Sequence, residues 1–594
     1  MMIFNRLTRL RLRRLLRLRR RQVESATQQV GTNLEKSFFG RLEHLLGVRR
    51  FVIGWLLLVA LMIGSSFSQM LALSGYYQEM KPIAGGTYSE GIIGTYSNAS
   101  PLFATGSVDT AVSKLIFSGL MTYDNNNKLV GDLAKDYTVD VTGKHYIVTL
   151  RPNLVWQDGQ PVTADDIAFT YKSIQNPDTN SPLLTSWQGV TVTATGKLTV
   201  KFDLPSPLAA FPYSLTNGIV PKHLLGQLSA RQLRSADFNT VKPVGTGPFV
   251  WSAIQVSGND PAKLTSLIAL KPFAGYHRGA PKLDSFVVRT YKTDDQMIAA
   301  FKDRDIMAMA GLNDVPVGLK EADANIYNFS LTAERMVFFK TTSGVLADTQ
   351  VRQALIKGAN IGEIINNLGY STKSVREPLL AGQPGYDKSY WESSFDEPAA
   401  AAQLAGDGWV AGKDGVLEKA GQPLTFTIYA EDTSENHKVL GLLDKQWRRI
   451  GVRARAVFQS AADLQATLGS HSYDALLYGI SIGDDPDVFV YWSSSQADVR
   501  SNQRLNFSEW KSDKADTSLE AGRTRSDPAL RAVKYKPFLE AWQADAPALG
   551  LYQPRFLYVT SRSVGGLNAH TINNEIGRYN NVFNWTIREA RVTD

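Results

Sequence analysis

Cysteine is absent from the 594 residues, which excludes disulfides, thiolate metal ligands, iron–sulfur clusters, a nucleophilic thiol and a cysteine-linked lipid anchor. Histidine is scarce: His44, His145, His223, His277, His437, His471 and His570 are scattered, with no H-x-x-x-H or H-E-x-x-H pair to seed a metal site. The phosphate-cradling G-x-x-x-x-G-K-[ST] is missing, so the chain is not a nucleotide-driven ATPase. Ser508 and Lys511 formally spell S-x-x-K, yet no K-T-G accompanies them, and the pair reads as surface polarity. No catalytic residue, no metal and no cofactor is expected, and the chain does not read as an enzyme. With 43% hydrophobic and 20% charged residues, it is not a disordered or fibrous sequence either.

Basicity is missing from most of the chain, although the net charge is +8. Thirteen basic and three acidic residues fall in 1–50, so the other 544 residues sum to −2. A basic head is therefore distinguished from a near-neutral body. No charged residue occurs between Arg50 and Glu79, and Phe51 to Leu73 reads FVIGWLLLVALMIGSSFSQMLAL. A helix of that length rises about 34 Å, enough for a hydrocarbon core of about 30 Å. With Arg49 and Arg50 directly before it, the positive-inside rule places the N-terminus in the cytoplasm and the body outside. The alternative is a cleaved secretory signal, against which stands a head far longer than an ordinary n-region. The head's RLTRLRLRRLLRLRRR suits a helix on anionic lipid headgroups. No aromatic residue is interleaved in it, and nucleic acid is not an expected partner.

The body alternates strand-like runs such as YIVTLRP, VTVTATGKLTVKFDL and PLTFTIYAE with runs of helical period such as TADDIAFTYKSI and KVLGLLDKQWRRIG, so its class is α/β. Thr163 with Asp166 three residues on predicts a capped helix start after the Asp158-Gly159 turn. No Pro- or Ser-rich linker divides it, which favours lobes built from discontinuous segments. Trp156, Trp187, Trp251, Trp409 and Trp447 are expected in the core.

Residues 118–174, SGLMTYDNNNKLVGDLAKDYTVDVTGKHYIVTLRPNLVWQDGQPVTADDIAFTYKSI, resemble the signature region of the family 5 extracellular solute-binding proteins, the oligopeptide, dipeptide and nickel receptors of ABC importers. VGTGPF at 244–249, VRQALIKGANIGEII and the run from YDKSYW through GW and DG to LTFTI are similar to further family motifs, in register from about Gly85 to Asn584. The resemblance implies a two-lobed, type II periplasmic-binding-protein-like α/β fold with mixed sheets and a hinge, with lobe one at 85–317 plus 553–594 and lobe two at 318–552. Ahead of it the charge and hydropathy pattern places a basic cytoplasmic head at 1–50, one transmembrane helix at 51–73 and a tether at 74–84. The implied partners are a peptide or other small polar solute, enclosed as the lobes close, and the membrane permease that receives it. The runner-up is an envelope sensor or scaffold with a degenerate cleft.

Peptide-binding members carry G-W-x-x-D followed by a D-P turn, the Asp receiving the peptide's α-ammonium and the strand's main chain pairing with the peptide. Counting back from Asp485-Pro486, the Trp position is Gly479 and the Asp position is Ile482. An Ile cannot compensate a buried ammonium. Either Asp484 takes over that role or the ligand is not an α-amine-bearing peptide. The ligand-binding candidates implied are Tyr478, Gly479, Ile480, Ser481, Ile482 and Asp484 in lobe two, with Ser97 and Asn98 in the first loop of lobe one. Asp485 and Asp487 read as a solvated turn, Asp487 capping the helix that follows.

Overall fold

A computed structural model describes residues 49–258, 265–319, 323–498, 500–501 and 503–593. Most of the basic head expected at 1–50 lies outside them. The chain divides into two compact units, 1–81 with 590–594, and 82–589.

In the first unit a helix runs Arg49–Tyr77, and the strand Gln78–Ile83 pairs with Arg588–Thr593. The segment expected as a tether at 74–84 thus continues the helix and then enters a strand. No proline interrupts the helical ladder before Tyr77, and the C-terminal strand supplies a pairing partner. Phe51–Met70 is the one stretch among the described residues long and apolar enough to cross a membrane, and its apolar side chains are exposed.

In the second unit, a mixed eight-stranded sheet and a four-stranded antiparallel sheet form one lobe, and a mixed five-stranded sheet forms the core of the other. Thr87–Ile93 lies parallel to Ser285–Tyr291 in the first, while Ala333–Phe339 lies antiparallel to both Ala475–Ser481 and Ala548–Tyr552 in the last. Alternation decides the faces: Val337 and Phe339 enter one apolar cluster of the second lobe, Met336 and Phe338 the other. Thr163 and Asp166 form the expected helix start, the Asp166 carboxylate accepting the Thr163 main-chain N–H at 2.8 Å. Trp156, Trp187, Trp409 and Trp447 are buried, and Trp251 packs against the first lobe's core.

Two chain crossings join the lobes. Ala324–Leu331 belongs to the eight-stranded sheet and Ala333–Phe339 to the five-stranded one, so the first crossing is Thr332. Ala548–Tyr552 and Arg555–Ser561 change sheets across Gln553-Pro554. The first boundary therefore falls later than the expected 317/318, because Ala324–Leu331 is held in lobe one by seven register pairs with Arg555–Ser561.

Each lobe buries carboxylates, by opposite means. In lobe one, fully buried Glu90 accepts from the Arg578 guanidinium at 2.6 and 3.0 Å, the Tyr579 hydroxyl at 2.7 Å and the Tyr558 hydroxyl at 2.8 Å. In lobe two, Glu334 is fully buried with both carboxylate oxygens unpartnered, facing Glu377 and Glu392. Burial, with the two neighbouring carboxylates adding, raises Glu334 well above the usual range. Burial likewise pushes Glu377 and Glu392 up to about 8.

A raised carboxyl means the folded state holds its proton more tightly than the unfolded chain does. Stability is therefore full below the ordinary carboxylate range and falls as pH rises towards about 8, by about 1.4 kcal/mol per pH unit for each such group. Thermal melts of Glu334→Gln at about pH 5 and about pH 8 are expected to show a higher Tm than the parent at the upper pH and a flatter profile between. Parent and variant profiles that superimpose would count against the buried cluster being held by protons.

Candidate functional site

Between the lobes lies a cavity of about 780 Å³, lined from lobe one by Tyr123, Thr185, Ser186 and Tyr213, and from lobe two by the turn Ile482–Asp485 with Asp487 and Arg523. The lobes touch around it. The Ala209 main-chain N–H donates to the Arg523 carbonyl at 2.9 Å, and the Ser434 hydroxyl donates to the Asp314 carboxylate at 2.5 Å.

The lobe-two wall is built by one strand and the turn after it. Ala475–Ser481 pairs along its whole length with Ala333–Phe339, but on its other side it meets Thr425–Glu431 only at Ala475 and Leu476. The edge from Leu477 onward lacks a strand partner. Ile482 and Gly483 both donate their main-chain N–H to the Thr332 carbonyl at 3.0 Å. Antiparallel alternation then turns the main-chain groups of Gly479 and Ser481 to the open side. The Tyr491 hydroxyl donates to the Ser481 carbonyl there at 2.8 Å. Gly483, at φ 75°, reverses the chain in a conformation suited to glycine.

Three acids follow in different circumstances. Asp485 is buried and forms a bidentate pair with Arg531 at 2.5 and 2.6 Å. Asp487 pairs with Arg523 at 2.9 Å, and the Arg523 guanidinium lies 4.3 Å from the Phe489 ring centroid. Asp487 therefore does not cap the helix Phe489–Trp492, whose N-cap is Val488, and neither it nor Asp485 is a solvated turn residue. Charge pairing competes with capping here, and one charge-assisted bond to the Arg523 guanidinium draws the Asp487 carboxylate away from the helix start. Asp484 has no ion-pair partner among the described residues. Burial raises its carboxyl, with Asp485 and then Asp124 adding repulsion. Burial also pushes the nearby Tyr213 hydroxyl up to about 12, Asp484 and Asp485 contributing.

The candidates read from sequence separate accordingly. Ile482 and Asp484 line the cavity. Ile480 is buried in the apolar cluster beneath, and Tyr478 packs on Phe507 with ring centroids 5.4 Å apart. A side chain at Gly479 would point at the Arg335 guanidinium, 3.1 Å from the position of its Cβ. Ser481 is exposed on the open edge. In lobe one, Ser97 donates to Asp109 through its main-chain N–H at 2.8 Å and its hydroxyl at 2.5 Å. The Asn98 side chain accepts from the Ser100 N–H at 2.7 Å. Both serve their own loop, and neither lines the cavity. Ser508 is buried, not surface-exposed, and its hydroxyl donates to the Pro547 carbonyl at 2.8 Å. Tyr123 and Tyr213 escaped the sequence reading because they come from separate segments that only the fold brings together, with no shared local pattern.

Two α/β lobes joined by two chain crossings around such a cleft make up the type II periplasmic binding-protein fold, and solved structures share it. NikZ from Campylobacter jejuni, solved with Ni(L-His), aligns with a TM-score of 0.69 at 25% identity, covering 84% of this chain and 99% of that one. In sequence, the oligopeptide-binding protein AppA of Bacillus subtilis is 24% identical over 509 residues, 82% of this chain and 90% of its own length. The glutathione-binding protein GsiB of Salmonella typhimurium is 26% identical over 503 residues, 79% and 90% respectively. The profile of the bacterial extracellular solute-binding proteins, family 5, matches residues 128–501, and this chain belongs to that family.

Arg531 is the support on which the turn's charge distribution rests. Arg531→Ala leaves Asp485 buried without a cation and is expected to lower unfolding free energy by about 3–5 kcal/mol in denaturant titration. The double variant Arg531→Met with Asp485→Leu, which removes both charges, is expected to recover most of that loss. A single variant as stable as the parent would show that the pair does not hold the turn.

Proposed function

We propose that this protein is the membrane-anchored receptor of an ABC-type importer, capturing an oligopeptide or a similar amine-bearing polar solute between its lobes and delivering it to the permease. The observation that carries the reading is Asp484: of the three acids in the turn it alone lacks a guanidinium, and it faces the cavity. A partly desolvated carboxylate with two acidic neighbours is an acceptor for a ligand cation. The open main-chain edge at Gly479 and the Ser481 N–H offers strand-type pairing to an extended ligand. Relatives named for oligopeptides and glutathione, both carrying free amines, agree with this choice over a ligand without one.

In this reading lobe one comprises 85–331 with the return from 554, lobe two comprises 333–552, and the lobes close about Thr332 and Gln553-Pro554. Phe51–Met70 spans the membrane with the N-terminus inside, the arginine-rich head rests on anionic lipid, and the body works on the outer side. Anchoring keeps the receptor at high effective concentration beside its permease, where other receptors rely on a lipidated cysteine.

The test is native mass spectrometry of the detergent-purified protein before and after mild denaturation, followed by calorimetric titration with the released ligand. A released set of peptides is expected, with binding weakened about tenfold or more by Asp484→Asn, since a charged hydrogen bond contributes about 1.5–3 kcal/mol. A ligand with no cationic group, or unchanged affinity in Asp484→Asn, would sink the amine reading. Mass analysis of the mature N-terminus tests the anchor: a chain beginning near residue 75 would refute it.

A further inference from the structure

A second cavity of about 300 Å³ adjoins the first, and the two share Tyr213, Asp484 and Asp485 in their walls. The larger is lined by hydroxyls and amides such as Thr185, Ser186, Ser495 and Gln496. The smaller is walled by Leu129, Tyr137, Val139, Tyr146, Pro212 and Pro384. Its charges are settled apart from Asp484 at the junction and the exposed Lys128 at the rim, because Asp485 is neutralised by Arg531. Tyr137 and Val139 are each 37% exposed on the edge strand Ala134–Val139, apolar surface turned into the cleft. The Tyr137 and Tyr146 rings lie 6.2 Å apart, and the Tyr146 hydroxyl is already spent on the Leu208 carbonyl at 3.1 Å. What these rings present to the chamber is therefore chiefly aromatic and apolar surface.

We propose that this smaller chamber takes a bulky apolar or aromatic group attached next to the ligand's cationic centre. Resting on the amine reading of Asp484, this specifies the solute as a peptide whose first residue carries a large apolar side chain. The volume equals roughly ten water molecules, the scale of one large side chain and not of a peptide. A ligand cation at Asp484 sits where the two cavities meet, so the group on the same carbon as the amine has the small chamber on one side and the remaining main chain has the polar chamber on the other. Burying a large apolar side chain there discriminates against glycine by about tenfold or more in Kd. The tyrosine faces add attraction for the adjacent ammonium.

The experiment titrates the full-length protein in detergent with alanine peptides of three to nine residues whose first residue is Phe, Leu, Gly or Glu, together with N-acetylated Phe-first controls. Phe- and Leu-first peptides are expected to bind at least about tenfold more tightly than Gly-first peptides of the same length, and acetylation to abolish binding. Tyr137→Ala is expected to narrow the Phe-to-Gly ratio severalfold. Val139→Lys, at a half-exposed edge position, should do the same by filling the chamber, with melting temperature reporting that each variant is folded. Peptides bound without regard to the first residue, or a preference untouched in both folded variants, would overturn the chamber assignment and leave the receptor reading standing. If no peptide of any length binds, the amine reading of Asp484 falls and the chamber assignment falls with it.

Discussion

Thr332 is the residue on which the cleft depends. It is the sole residue between the last strand it leaves in one lobe and the first it enters in the other, and each of its groups is committed. Its N–H donates to the Ile572 carbonyl at 2.9 Å and its hydroxyl to Asn573 at 2.6 Å, both in lobe one. Its carbonyl receives the N–H groups of Ile482 and Gly483, at the start of the lobe-two turn that lines the cavity. One peptide unit thus joins the sheets, fixes the height of the turn and sets where Asp484 stands. With a second crossing at Gln553-Pro554, the lobes have two short connections, a geometry that permits rotation about a line and resists sliding. Rotation about that line changes the distance between Tyr123 or Tyr213 and Asp484 while leaving the turn itself intact, because the turn is bonded to the crossing.

The treatment of carboxylates separates structure from site. Glu90 ties its strand to two segments 468 to 489 residues later in the sequence, and its charge is met by Arg578 and two tyrosines. Asp485 and Asp487 are met by Arg531 and Arg523. Glu334 has no ion-pair partner among the described residues, and burial with Glu377 and Glu392 beside it raises its carboxyl well above the usual range. Asp484 belongs to none of these patterns. Burial raises its carboxyl, and the charged neighbours that add to the shift are both acids, Asp485 and Asp124. That difference, with its place on the cavity wall, is what the proposed role of Asp484 as acceptor for a ligand cation rests on.

Much of the architecture was legible because it repeats in local pattern. The Thr163–Asp166 helix start, the alternating strands and the ordered motifs from Gly85 onward pointed to the α/β two-lobe fold before any coordinates. The lobe boundary was misplaced because Ala324–Leu331 reads as a strand in either lobe, and only its pairing with a strand 230 residues later assigns it. The structure puts Gly479 on the wall strand and Ile482 in the turn after it. Sequence alone could not reveal that Asp487 is claimed by Arg523 or that Ser508 is buried, since both facts depend on partners more than 30 residues away. Glu334 is least legible of all. A Glu-Arg pair at the start of an apolar strand suggests a solvated position, and nothing local shows that Glu377 and Glu392 lie beside Glu334.

Ile482 and Asp484 both border the cavity, but the turn treats them differently. Ile482, the first residue past the strand Ala475–Ser481, packs on the apolar cluster below the cleft, at 9% exposure. Asp484 lies beyond Gly483, whose positive φ reverses the chain so that Ile482, Asp484 and Asp485 all border the cavity. Asp485 is then anchored inward by Arg531, so the turn is rigid on one side and presents Asp484 on the other. An acid at 482 beside Asp484 would place two carboxylates two residues apart with no guanidinium for either, raising both pKa values and weakening each as an acceptor. The turn has one acid without a guanidinium, because Arg531 and Arg523 hold the other two.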